Sequence, residues 1–196
     1  MTTIVKRPYV SVLCATYNRQ QLIPLVIHQF NNQDYPNDRM ELIIIDDSDY
    51  ECFFESNQEN IKYTYLKSKV PIGKKRNMLN DMASGEYIVW FDDDDFYTRN
   101  RITKSINILS SCPEYRIIGV KNMIIYDSLH SKVSVNIKIK VPNYTQNNIM
   151  AYRRDYLDSH RYKDEDIYDE ERYFTNGFKE RCYQFNSSEL CIHIAH

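Results

Sequence analysis

Four consecutive aspartates, Asp92, Asp93, Asp94 and Asp95, follow directly on the apolar run Tyr87-Ile88-Val89-Trp90-Phe91. The run reads as a buried strand that so much charge must end, so the carboxylates gather where the strand leaves its sheet. Four adjacent anions repel one another. A hard divalent cation with a bound phosphate turns that repulsion into attraction, and open α/β sheets bind ligands at this edge. A second wholly apolar run, Leu42-Ile43-Ile44-Ile45, ends in Asp46-Asp47-Ser48-Asp49, and the first strand ends in Thr16-Tyr17-Asn18-Arg19. Neighbouring parallel strands bring such ends within reach of one ligand. One cluster can grip a base or ribose while another holds a metal against a diphosphate. Alone, an acidic run is more often a solvated turn, and Lys74-Lys75-Arg76 is more often a solvated helix face than a phosphate clamp. The core strand before Asp92 and the second strand-end pair shift the balance towards a site. An EF-hand is excluded, because the loop counted from Asp92 has Tyr97 where glycine is needed and Thr103 where glutamate is needed.

The pattern around these ends predicts strands over 9–16, 42–45, 63–66 and 87–91, alternating with helices over 20–32, 74–83 and 101–109. Pro24 falls in the first helix's opening turn, where a missing amide hydrogen costs little, and the second helix stops before Gly85. Strands alternating with helices imply a mainly parallel sheet of βαβ units. The second half differs. Val133, Val135, Ile137, Ile139 and Val141 alternate with polar residues, as in a strand with one wet face. Residues 148–152 and 191–195 read as short strands, and 169–179 as a helix with Tyr173, Phe174 and Phe178 on its apolar side.

At 196 residues the chain fits one domain with a real core, and 42% hydrophobic with 27% charged residues is ordinary for a globular protein. A formal net charge of -2 gives no reason to expect nucleic acid as a partner. No apolar stretch approaches the roughly 20 residues of a membrane span, and residues 1–8 lack a signal peptide's apolar centre, so the chain reads as cytoplasmic. Five widely spaced cysteines without a CxxC pair fit reduced, mostly buried thiols better than disulfides or a zinc site.

Four segments, in this order, resemble the family 2 glycosyltransferases with the GT-A fold over nearly the whole chain. They are Ser11-Val12-Leu13-Cys14-Ala15-Thr16-Tyr17-Asn18-Arg19, Glu41-Leu42-Ile43-Ile44-Ile45-Asp46-Asp47-Ser48, Gly73-Lys74-Lys75-Arg76-Asn77 and Gly85-Glu86-Tyr87-Ile88-Val89-Trp90-Phe91-Asp92-Asp93-Asp94-Asp95. The resemblance implies an α/β GT-A fold: a Rossmann-like, mainly parallel sheet with helices on both faces and a smaller mixed or antiparallel acceptor-side part. It implies one domain over 1–196, nucleotide-binding over about 1–98 and acceptor-facing over about 99–196. The implied activity is metal-dependent transfer of a sugar, with inversion, from a nucleotide-sugar donor (a UDP-sugar first) to a hydroxyl. The acceptor is a glycan, a protein or a lipid-linked molecule.

The same resemblance implies roles for residues. Thr16 and Tyr17, with Asn18 and Arg19 beside them, line the nucleotide. Asp46 or Asp47 accepts from the uracil imide, Asp46 slightly favoured. Arg76 and Asn77 lie beside nucleotide and sugar, Arg76 as a fixed cation. Asp92 and Asp94 match the ends of the DXD motif, Asp92 towards ribose or sugar and Asp94 on the Mn²⁺ or Mg²⁺ that bridges the diphosphate. Asp93 is their neighbour in the nucleotide-sugar set, and Asp95 orients a metal-bound water. A late histidine, His193 or His196, adds a metal ligand. The base comes from an acidic pair at a helix start, Glu171 first and Glu170 second, with Asp164-Glu165-Asp166 competing. Two alternatives stay open. A sugar-phosphate nucleotidyltransferase is disfavoured because the loop after the first strand has no glycine, and a catalytically inactive nucleotide-sugar-binding module because the aspartates are intact.

Overall fold

The computed structural model describes residues 7–51 and 57–195, with the backbone alone over 134–138. Cys52, one of the five cysteines, and His196, the alternative late histidine, lie outside the described residues. In chain order the elements are β1 (Val10–Thr16), α1 (Ile23–Asn31), β2 (Met40–Asp46), β3 (Ile61–Tyr65), α2 (Ile72–Met82), β4 (Tyr87–Trp90), β5 (Phe96–Tyr97), α3 (Arg101–Ser111), β6 (Ile117–Val120), β7 (Asn122–Asp127), β8 (Lys132–Lys138), β9 (Ala151–Arg153), α4 (Glu170–Phe174), β10 (Cys182–Phe185) and β11 (Cys191–Ala195).

Strand residues point alternately to opposite faces, and here both faces are apolar because helices cover both. Val12 and Cys14 of β1 and Leu42 and Ile44 of β2 pack with Val26 and Phe30 of α1 and Ile102 and Ile106 of α3. Their neighbours Leu13, Ile43 and Ile45, with Trp90 of β4, turn the other way, towards Leu79 of α2 and Phe174 of α4. The large sheet runs β10-β6-β9-β4-β1-β2-β3. β1 lies between β2 and β4, parallel to both, with Thr16 opposite Asp46 and Leu13 opposite Trp90. The C-terminal ends of these three strands therefore leave the sheet on one edge. A smaller sheet, β5-β11-β7-β8, is mixed. β5 comes straight after the four aspartates and pairs antiparallel with β11, so a late strand returns to that edge. No helix among the described residues is long and apolar enough to cross a membrane.

Three expectations change. The helix expected over 169–179 ends at Phe174, since Asn176, Gly177 and Phe178 have φ of 51°, 69° and 60°, a left-handed run that no helix continues. Phe174 and Phe178 are buried as expected, whereas Tyr173 is exposed. The strand expected over 148–152 begins only at Ala151, because the amides of Ile149 and Met150 both donate to the Gln146 carbonyl. Finally, β5, β6, β7 and β10 are additional to the predicted strands. Cys14, Cys182 and Cys191 are buried free thiols, and Cys112 is partly exposed.

Candidate active site at the sheet edge

The four aspartates have four different environments. Asp92 is partly exposed, its side chain at 29%. Its amide donates to the Tyr97 hydroxyl at 2.6 Å, and Tyr97 stacks on Phe91 with ring centroids 4.0 Å apart. Burial pushes the Asp92 carboxyl up to about 7, Arg76 opposes, and the other three aspartates add to the rise. Asp93 is fully buried. It accepts from Thr16 Oγ1 at 2.5 Å and lies 3.2 Å from the Arg19 guanidinium, whose other nitrogen pairs with Asp94. Burial raises the Asp93 carboxyl too. Asp95 is buried and serves the frame: the Ile194 amide donates to it at 3.0 Å, and His193 Nδ1 lies 2.9 Å from it. That contact is the main reason the His193 pKa is raised. Gln29 of α1 fixes the backbone just beyond by donating to the Asp95 carbonyl at 2.8 Å and accepting from the Tyr97 amide at 2.6 Å.

The loops after β1 and β2 are zipped together. Asn18, at φ 55°, takes the Asp49 amide on its carbonyl at 3.0 Å and donates to the Asp49 carboxylate at 2.9 Å. Tyr17 donates to the same carboxylate at 3.2 Å, and Lys69 lies over the Tyr17 ring at 3.7 Å. Asp46 and Asp47 are both buried and both engaged. Asp46 accepts from the Ser48 amide at 2.8 Å, the Ser48 hydroxyl and the Tyr63 hydroxyl at 2.8 Å. Asp47 pairs with Lys75 and accepts from the Val70 amide at 2.9 Å. Lys75 also donates to the Thr16 carbonyl at 2.8 Å, while burial lowers its pKa against the pull of Asp47. In the basic triplet only Lys74 is exposed, so the solvated-face reading fails for Lys75 and Arg76.

Arg76 joins two regions far apart in sequence. Its Nε donates to Glu170 at 2.7 Å, another nitrogen lies 3.8 Å from Asp92, and the guanidinium sits 4.6 Å over the Trp90 ring. Burial opposes its charge, but Asp92, Tyr162 and Glu170 hold it firmly protonated. Its remaining nitrogen is buried without a partner. Glu170 is buried and cation-paired; Glu171 is partly exposed and, among the described residues, in no ion pair. Burial raises the Glu171 pKa. Asn77 is spent on structure: it clamps the Tyr162 backbone through bonds of 3.0 and 2.8 Å and donates to Asp164 at 2.6 Å. The competing acidic cluster thus meets α2 through Asn77, and Arg76 pairs with Glu170.

Carboxylates of Asp92 and Asp94 with an imidazole fit a divalent cation by donor type, and Asp95, expected to orient a metal-bound water, instead lies against the His193 Nδ1. No three such groups among the described residues already converge closely enough to hold an ion. Residues that sequence reasoning passed over are Gln29, Tyr97, Asn147, Asn148 and Tyr162. Each acts through a hydrogen bond between distant segments, which leaves no local pattern to read.

The family model described as Glycosyl transferase family 2 matches residues 11–160. The chain is 36% identical to the putative colanic acid biosynthesis glycosyl transferase WcaA of Escherichia coli over 104 residues, 49% of this chain and 36% of that protein. It is 34% identical over 96 residues to the GalNAc(5)-diNAcBac-PP-undecaprenol beta-1,3-glucosyltransferase of Campylobacter jejuni, covering 45% of this chain and 30% of the relative. The matches thus span only about a third of these relatives' length. Among solved structures, S. aureus TarS in complex with UDP superposes with a TM-score of 0.72 at 19% identity, over 95% of this chain and 60% of that one. The Pyrobaculum calidifontis mannosyltransferase PcManGT, in complex with GDP-Man and Mn²⁺, gives 0.71 at 15% identity, over 96% of this chain and 57% of that one. The fold is therefore that of the GT-A glycosyltransferases.

Proposed function

Because the chain belongs to glycosyl transferase family 2, we propose that it transfers a sugar from a nucleotide-sugar donor, a UDP-sugar first, to an acceptor hydroxyl with inversion. The observation that carries the reading is the Asp92–Arg76–Glu170 chain of contacts. It brings the acidic strand end, suited to the donor, to the acidic helix start, suited to the acceptor, though the two lie in different halves of the chain.

In this reading the two halves act as one unit. Tyr17, Asn18 and Arg19 border the nucleotide. Thr16 works indirectly, through its hydrogen bond to Asp93. Asp46 and Asp47 carry internal partners, so they shape the wall behind the base, and an imide contact from either requires one of those bonds to be exchanged. The unpartnered nitrogen of Arg76 suits an oxygen of the diphosphate or sugar. Asp92, Asp94 and His193 would hold Mn²⁺ or Mg²⁺, which when bound neutralises charge on the departing diphosphate. Glu171 takes the acceptor's proton: burial raises its proton affinity, whereas Glu170 is tied to Arg76. A glycan acceptor is supported by relatives named for colanic acid and for a GalNAc-containing undecaprenol-linked glycan.

Calorimetry of UDP-, GDP- and dTDP-sugars with and without Mn²⁺ tests the donor side. Tight binding of one nucleotide class only with the metal is expected. Binding that ignores the metal, or no binding at all, would sink the metal–diphosphate reading. Asp94→Ala should abolish the metal-dependent part, while Glu171→Gln should bind donor and not transfer.

A further inference from the structure

We propose that Asn147 is the positioning residue of the base, its side-chain amide tying the Glu171 carboxylate to Glu170, which Arg76 anchors from the other side; this rests on the transfer reading above. Asn147 lies in the turn before β9, outside every motif described, and is buried at 5% exposure. Its Nδ2 donates to Glu170 Oε1 at 2.9 Å and to Glu171 Oε2 at 3.2 Å. The amide cannot turn over freely. Its Oδ1 accepts the Tyr162 hydroxyl at 2.6 Å, and a flip would set that oxygen against two carboxylates. Tyr162 is itself fixed. Its ring stacks on Phe174 of α4 at 4.1 Å with 6° between planes, and Asn77 holds its backbone.

The chemistry suits a base. Glu170 is spent on structure, bonded to the Arg76 Nε at 2.7 Å and buried, whereas Glu171 is in no ion pair among the described residues. A neutral amide steadies the carboxylate in one orientation without adding a charge. The ionisable groups around Glu171 are Asp169, Glu170 and Arg172 on its own segment, Arg76 from α2, and Tyr144 and Tyr162 from the flanking loops. Of the neutral donors, Tyr162 spends its hydroxyl on Asn147 itself.

The test uses the full chain labelled with ¹³C in the glutamate carboxyls, the Glu171→Gln variant identifying the Glu171 signal. Asn147→Leu should raise the Glu171 titration midpoint by about one pH unit, since the amide bonds the ionised form. Tyr162→Phe keeps the core volume and should move it the same way by less, which carries the test if the leucine variant does not fold. With UDP-GlcNAc as probe and UDP release as signal, the acid limb of kcat should move with the midpoint and donor KM should stay within about twofold. A midpoint unmoved in the folded variants, or kcat lowered equally at every pH, overturns the inference. Wild-type UDP release by Glu171→Gln shows that Glu171 is not the base and overturns the inference with it, while no UDP release by the wild type from any nucleotide-sugar overturns the transfer reading.

Discussion

Removing the Arg76 charge should damage the protein twice, and the two effects can be separated. Arg76 and Glu170 are 7% and 8% exposed as side chains and 2.7 Å apart, so solvent screens their attraction little. Arg76→Met strands the buried Glu170 carboxylate, with Asn147 still donating to it, and removes the cation 3.8 Å from Asp92. Breaking a buried pair from one side costs about 3–5 kcal/mol. Losing the guanidinium over Trp90 adds about 1 kcal/mol, so Tm should fall by roughly 10 °C for a chain of this size. Arg76→Met with Glu170→Leu removes both charges and should recover most of the loss, because a buried pair exchanged for apolar groups is near neutral. Donor affinity should not recover, since the unpartnered Arg76 nitrogen is gone in both variants. Thermal unfolding by circular dichroism reads the first effect and UDP calorimetry the second. If the double variant melts no higher than the single one, the pair is not the stabilising contact described. If the double variant binds UDP like the wild type, Arg76 does not serve the donor.

Glu41 ties the opposite end of the sheet together. It accepts from Ser11 at 2.6 Å, from the Ser84 amide and hydroxyl at 2.8 and 2.6 Å, and from Lys62 at 2.7 Å. Burial pushes its carboxyl up but these donors more than offset it, and the net pKa is below the ordinary 4.5. Its stabilisation is therefore present above pH 4.5 and lost as pH falls through the depressed folded value. Urea unfolding should show Glu41→Gln about 2 kcal/mol less stable than wild type at pH 7, with the gap closing in acid; a gap independent of pH refutes the charge argument. Gly73→Ala should cost several °C of Tm, because a Cβ there would stand 2.0 Å from the Lys163 carbonyl; a variant that melts normally shows that the 163–166 loop yields. Glu171, raised by burial, disfavours the fold as pH rises through its folded pKa, so Glu171→Gln should raise Tm at pH 7 by roughly 2 °C while abolishing transfer. An unchanged or lower Tm means the carboxylate is better solvated than its burial indicates.

The mainly parallel character of the sheet and the edge that carries the site follow from the sequence alone. Runs such as Leu42–Ile45 and Tyr87–Phe91 are apolar on both faces, which only a sheet covered on both sides accommodates, and aspartate cannot continue either run. Those rules act between near neighbours in the chain. What the tertiary structure decided is which partners each aspartate meets. The six look alike in sequence, yet Ser48 and Tyr63 meet Asp46, Lys75 meets Asp47, Arg76 meets Asp92, Thr16 meets Asp93, Arg19 spans Asp93 and Asp94, and His193 meets Asp95. Likewise the basic triplet by itself reads as a solvated helix face, yet Lys75 and Arg76 are buried, since the carboxylates that pay for their burial arrive from the ends of β2 and β4 and from α4. A carboxylate's chemistry is set by its partners and its solvent, and here those come from distant segments that no local pattern announces.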